Sequence, residues 1–252
     1  MSEITNQLIE LAHELGRESR QLAILGEGNV SARLSDNEFQ VKASGSSLST
    51  LKESNLATCR FDRLLPMLNE TGLSDTEIDE KLMESRTATT MKKPSVEATF
   101  HATLLNIPDI EFVGHVHPEA VNQLLCSGRT EEFANQRLFP DQIVCCGSRS
   151  VVVPYQDPGL QLAIVIKREV EAFIEQEGTY PKNILIENHG LIALGKTAKE
   201  VLSGTLMAEK SARIYIGALA SRPAGPVCLT PEQVERIAGR PDEHYRQKML
   251  NS

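Results

Sequence analysis

No stretch of this 252-residue chain approaches the roughly 20 consecutive apolar residues of a membrane helix, so no membrane span is expected. No basic segment precedes an apolar one near the N-terminus; the reading is therefore a chain without a signal peptide, residing in the cytoplasm. Positive charge is not in excess. The formal net charge is −8, which argues against a general nucleic-acid binder and leaves room only for a local anion pocket. Cysteine is sparse and badly spaced for bridging. Cys59, Cys126, Cys145, Cys146 and Cys228 are odd in number and contain no CxxC pair, so reduced, buried thiols are expected rather than a disulfide framework. Neither GxxxxGK[ST] nor a GxGxxG following a strand occurs, so nucleotide binding is not expected. There is no internal repeat, no low-complexity tract and no linker long enough to split the chain, which reads as a single unit over residues 1–252.

What is present is a mixture of helical and strand-like patterns. Ile4, Leu8, Leu11, Leu15 and Leu22 have helical spacing and predict a helix over about 4–24. Runs 30–34 and 38–43 flank Ser35-Asp36-Asn37, which predicts a hairpin. A further strand is expected over 56–61, then a polar surface excursion over 69–93 whose helix opens on a capping box at Ser74. Helices follow over 96–106 and 118–126, β-like runs over 143–146 and 151–153, and a long amphipathic helix over 159–177. Residues 183–187 and 191–194 read as a hairpin. Thr197 and Thr230 open the last two helices, the second lying in a C-terminal helical tail over 227–252. Hairpins among helices favour an antiparallel or mixed sheet covered by helices over a doubly wound parallel one.

His115 and His117 carry the chemistry. Residues two apart in a strand share a face, so the His-Val-His triplet sends both imidazoles into one space. His189, in Glu-Asn-His-Gly, stands at another strand end and completes a three-nitrogen set that suits a divalent metal with an open coordination position. Zinc is the first expectation, and manganese, iron or cobalt fit the same ligands. Glu97 lies where a loop becomes a helix. Beside a metal its carboxylate becomes a ligand or a proton acceptor. Gly26-Glu27-Gly28-Asn29-Val30-Ser31, together with Ser44-Gly45 and Ser95, offers backbone and side-chain donors that could converge on one anion.

Taken in order, Gly28-Asn29-Val30-Ser31, Lys42-Ala43-Ser44-Gly45, Pro94-Ser95-Val96-Glu97, His115-Val116-His117 and Asn188-His189-Gly190-Leu191-Ile192 resemble the class II aldolase/adducin family, which includes L-fuculose- and L-rhamnulose-1-phosphate aldolases. The resemblance covers roughly residues 8–216. It implies a three-layer αβα sandwich around a mainly antiparallel or mixed sheet, and a homotetramer with active sites between subunits. It further implies His115, His117 and His189 as zinc ligands, Glu97 as the acid/base that competes with substrate for the metal, and Asn29, Ser44, Gly45 and Ser95 as binders of the substrate phosphate. The implied reaction is reversible aldol cleavage of a small ketose phosphate through a metal-stabilised enediolate. Relatives with the same histidines epimerise pentulose phosphates, with Asp141 as a possible partner acid, or decarboxylate sugar-acid phosphates; adducin-type relatives are scaffolds. Val96 stands where many sugar-phosphate aldolases have a second serine. Tyr215 and Tyr245 are the nearest C-terminal candidates for the family's tyrosine.

Overall fold

The computed structural model describes residues 2–222 and 224–242. Helix α1 (Glu3–Leu15) starts on Ser2, whose hydroxyl accepts the Thr5 N–H, and buries Leu8, Leu11, Ala12 and Leu15 along one face. It ends nine residues short of the expected helix over 4–24. Gly16 closes it: a Cβ at this position would lie 2.3 Å from the Ser49 nitrogen, so the chain turns off against the backbone of another loop. Leu22 keeps its place in the core without being helical. Gly16→Ala is therefore expected to cost about 1–3 kcal/mol through forced backbone displacement, and an unchanged melting temperature would refute that.

Strands β1 (Asn29–Arg33) and β2 (Glu38–Lys42) form the expected hairpin, and β3 (Leu56–Arg60) extends it, all antiparallel. The short α2 (Phe61–Leu64) follows, then α3 (Asp75–Glu84) with its Ser74/Glu77 capping box complete. Helix α4 (Ala98–Leu105) is buried at all eight positions, as a run this apolar requires. Strand β4 (Phe112–Val116) carries the first histidine and leads into α5 (Glu119–Leu125).

Beyond α5, two short helices were not expected as such. One is α6 (Thr130–Asn135). The other, α7 (Pro140–Cys146), replaces the strand expected over 143–146. Four apolar residues fit a strand or a buried helical turn equally well. Pro140 in the first turn and Gly147, at φ 78°, bracket a helix. Cys146 thus packs in a helix, where burial pushes its thiol up to about 12. Burial pushes Cys59 up to about 11, and neither is a reactive thiolate.

The chain continues through β5 (Val151–Val153), α8 (Leu160–Glu177), β6 (Asn183–Ile186), β7 (Gly190–Gly195), α9 (Ala198–Ser221) and the capped α10 (Pro231–Ala238). The sheet order is β3-β2-β1-β4-β7-β6-β5, antiparallel except for the β5–β6 pair. One face packs on α4 and α8, through Phe100, Leu104, Ile166 and Val170. The other packs on α1 and α9 through Leu8, Leu11 and Val201, and α5 adds Val121 and Leu124 beside it. This is the expected αβα sandwich. No helix among the described residues is long and apolar enough to cross a membrane.

Candidate metal centre

The three histidines come from neighbouring central strands. His115 is the fourth residue of β4, opposite Asn29 of β1 and Ile192 of β7. His117 follows the end of that strand. His189 sits in the tight β6–β7 connection, after Asn188 in the left-handed region at φ 53°. The ring centroids are 4.9–5.1 Å apart, and one nitrogen from each ring lies within 4.8 Å of the others. The Nε2 atoms of His115 and His117 are 3.1 Å apart. Two nitrogens each about 2.0–2.1 Å from a shared tetrahedral centre would be separated by roughly 3.3 Å, so the spacing suits one divalent ion.

The protonation pattern suits it too. His115 is fully buried and its Nδ1 lies 3.1 Å from the Leu191 carbonyl oxygen. A carbonyl only accepts, so Nδ1 carries the proton and Nε2 keeps its lone pair. Burial holds His115 well below the ordinary histidine range, and the neighbouring rings reinforce this. Burial lowers His117, against the opposing pull of Glu27, and brings His189 down to about 4. All three rings are neutral at pH 7, as ligation requires.

Gly190 makes the convergence possible. A Cβ there would lie 2.6 Å from the Val116 carbonyl oxygen, 2.7 Å from Cδ2 of His117 and 3.2 Å from Cε1 of His115. Gly28, at φ 70°, leaves the same kind of room on the other side, where a Cβ would meet the His115 carbonyl oxygen at 2.6 Å. Asn122 of α5 donates to the His189 carbonyl at 3.0 Å and fixes the connection.

Glu97 stands at the start of α4 with Oε1 3.5 Å from His189 Nε2 and 3.8 Å from His115 Nε2. Its other oxygen accepts from Asn29 Nδ2. Burial pushes its carboxyl up to about 7, although the Asn29 bond and the Lys42 charge pull the other way. A carboxyl so placed can give and take a proton near neutrality.

The expected anion binders separate into two groups. Asn29 joins Glu97 directly. Ser44, Gly45 and Ser95 are drawn together by the Ala43–Pro94 bridge and by the Ser44 N–H, which donates to the Lys93 carbonyl at 3.0 Å. Ser44 and Gly45 are exposed and Ser95 is buried. Lys42 ties the two loops, its ammonium donating to the carbonyls of Ser46 at 2.6 Å and Gly26 at 3.1 Å. The motif contained Lys42, but nothing in it indicated a buried lysine. His101 was also missed. It is fully buried in α4, with Nδ1 2.7 Å from Ser31 Oγ, and burial brings it down to about 3. The available signal was Ser31, two residues after Asn29 and on the same face of β1.

Tyr215 is on the buried face of α9 with its ring 5.6 Å from that of Phe133, a packing role. Tyr245 lies outside the described residues. Asp141 occupies the first turn of α7, which packs on α9 and α10, rather than the turn its residue type predicts.

A cavity of about 570 Å³ opens beside His117, lined in part by Gln21, Glu27, Glu119 and Asn122. The centre therefore combines three neutral nitrogens with a buried carboxyl raised to about 7, and His117 alone of the four lines that cavity.

The chain is similar to several known proteins. An L-fuculose 1-phosphate aldolase superposes with a TM-score of 0.70 at 19% identity, covering 98% of this chain and 97% of that one. A 3-oxo-tetronate 4-phosphate decarboxylase of Haemophilus influenzae is 24% identical over 82% of this chain and 85% of its own length. An uncharacterised oxidoreductase of Bacillus subtilis, YuxG, is 27% identical over 76% of this chain, which spans 26% of that longer protein. The family model described as class II aldolase and adducin N-terminal domain matches residues 6–216, and the chain belongs to that family.

Proposed function

We propose that the protein is a divalent-metal-dependent lyase that cleaves a small ketose phosphate reversibly into a triose phosphate and an aldehyde. The single observation that carries this reading is the buried Glu97 carboxyl, poised near pH 7 within 3.5–3.8 Å of two of three convergent neutral imidazoles. His115, His117 and His189 would hold the ion, zinc first among the choices. Such an ion supplies Lewis acidity to the carbonyl and hydroxyl oxygens of the ketose.

The remaining work falls to the chain itself. Asn29, Ser44, Gly45 and Ser95 would anchor the phosphate, and that remote binding energy would orient the scissile C–C bond. When the bond breaks, Glu97 takes the proton of the hydroxyl that becomes the aldehyde, the electron pair of the bond stays on the ketose fragment, and Glu97 returns the proton to the carbon left there. In the synthetic direction Glu97 removes that same proton. Asn29 keeps the carboxyl aimed. The reading includes a homo-oligomer, expected to be a tetramer, which sedimentation would measure.

The test is a panel of ketose 1-phosphates with the metal-loaded protein, read by release of triose phosphate. No product from any of them would overturn the lyase reading. A second reading draws on the resemblance to the Haemophilus decarboxylase. It predicts CO2 from a phosphorylated 3-oxo acid on the same ligands, so such an acid belongs in the panel. Pentulose 5-phosphates belong there for the epimerase alternative, in which Asp141→Asn should abolish turnover; an aldolase should barely respond. A scaffold would retain less than about 0.2 equivalents of divalent metal after reconstitution.

A further inference from the structure

Pairing within the sheet does not hold His117. The β4–β7 ladder ends at Val116 opposite Leu191, and His117 lies one residue beyond. Segment 21–28 holds it instead. The His117 N–H donates to the Leu22 carbonyl at 2.9 Å, and the Glu119 N–H donates to the Gln21 carbonyl at 3.2 Å. To follow this path the segment places Gln21 at φ 54°, Leu25 at φ 52° and Gly28 at φ 70°. Two non-glycine residues in the left-handed region within five positions cost conformational energy that the surroundings must offset.

Within this segment Glu27 is out of keeping with an anion cradle. A carboxylate between Gly26 and Gly28 would repel a phosphate received by the same loop. The structure resolves the conflict by turning the side chain away from such a role. Oε2 accepts the Ile24 N–H at 3.0 Å, and Oε1 faces His117 Nδ1 at 3.9 Å. A side chain 38% exposed can close the remaining distance to hydrogen-bond length. His115 already has the equivalent support, from the Leu191 carbonyl. A ligating imidazole that gives its rear N–H to an acceptor is fixed in tautomer and in ring orientation.

We infer that Glu27 is a positioning residue for His117: its carboxylate accepts a hydrogen bond from the Nδ1–H and aims the Nε2 lone pair at the centre shared with His115 and His189. The inference rests on the metal reading of the three histidines, and the experiment separates the two. Parent, Glu27→Ala and Glu27→Gln proteins are stripped and titrated with Co2+, following affinity by competition with a chelator and the visible ligand-field spectrum at saturation. Failure of the parent to take up Co2+ would remove the metal reading and this inference with it. With the parent binding, Glu27→Ala is expected to bind about 10–100-fold more weakly with an altered spectrum. Glu27→Gln, which keeps an acceptor at the same place, is expected to recover most of the affinity and the parent spectrum. Parent-like affinity in Glu27→Ala overturns the role of Glu27. So does a Glu27→Ala protein with a lower melting temperature whose saturated spectrum matches the parent's, since that result marks a loop support and not a ligand support.

Discussion

Gly190→Ala is expected to weaken divalent metal binding by at least about 100-fold, more than the loss typical of one outer support. The added methyl would stand 2.6 Å from the Val116 carbonyl oxygen, and backbone on both sides limits retreat. Gly190 pairs with Ile186 across the β6–β7 connection, and Leu191 pairs with both Leu185 and Val116. The easier movement is of side chains, and the ones in the way are the His117 ring at 2.7 Å and the His115 ring at 3.2 Å. Either ring that yields leaves the shared centre, so the strain falls on ligation whichever moves. Gly217→Ala is the matched control. Nothing lies within 4 Å of a Cβ there, and helix propensity alone predicts unchanged metal content with a gain of up to about 1 kcal/mol. Metal analysis after dialysis, with Co2+ competition for the affinities, reads both variants. Stoichiometric, parent-affinity metal in Gly190→Ala would show that the three rings do not converge as described.

Features governed by local chemistry were legible in the sequence. The Ser74 and Thr230 capping boxes each bring two orphan end groups together within four residues, and both are formed. The hairpin across Ser35–Asn37 and the strand-end positions of His115 and His189 follow from turn residues and period-two patterning. What failed depended on other parts of the chain. The apolar spacing through Leu22 does not record that Gly16 must pass the Ser49 backbone. Ile143 to Cys146 cannot declare helix or strand without Pro140 and Gly147 as brackets. At the site, residue types and register indicated which imidazoles meet, but not the burial that sets acidity. Lys42 reads as an ordinary strand lysine until Gly26 and Ser46 close around its ammonium. Glu97 reads as a helix-start carboxylate until α4 and β1 enclose it.

That enclosure makes Glu97→Gln the second large effect, with two readouts that move in opposite directions. As the proton carrier of the proposed reaction, Glu97 is expected to contribute about 10²–10⁴ in kcat. The metal should stay, because the three nitrogens meet without it. Stability of the metal-stripped protein should rise. Burial holds the Glu97 carboxyl up at about 7 against an ordinary 4.5, so between those pH values the native state carries a proton that the unfolded chain has released. The parent therefore loses stability as pH climbs through that window, by on the order of 3 kcal/mol once both states are ionised. Glutamine has no proton to release and escapes the loss. Urea unfolding of both stripped proteins should give similar free energies near pH 5 and a more stable variant at pH 8. Parallel profiles across that range would mean that Glu97 titrates in the folded protein as it does in water, and the acid/base role proposed for it would lose its physical basis.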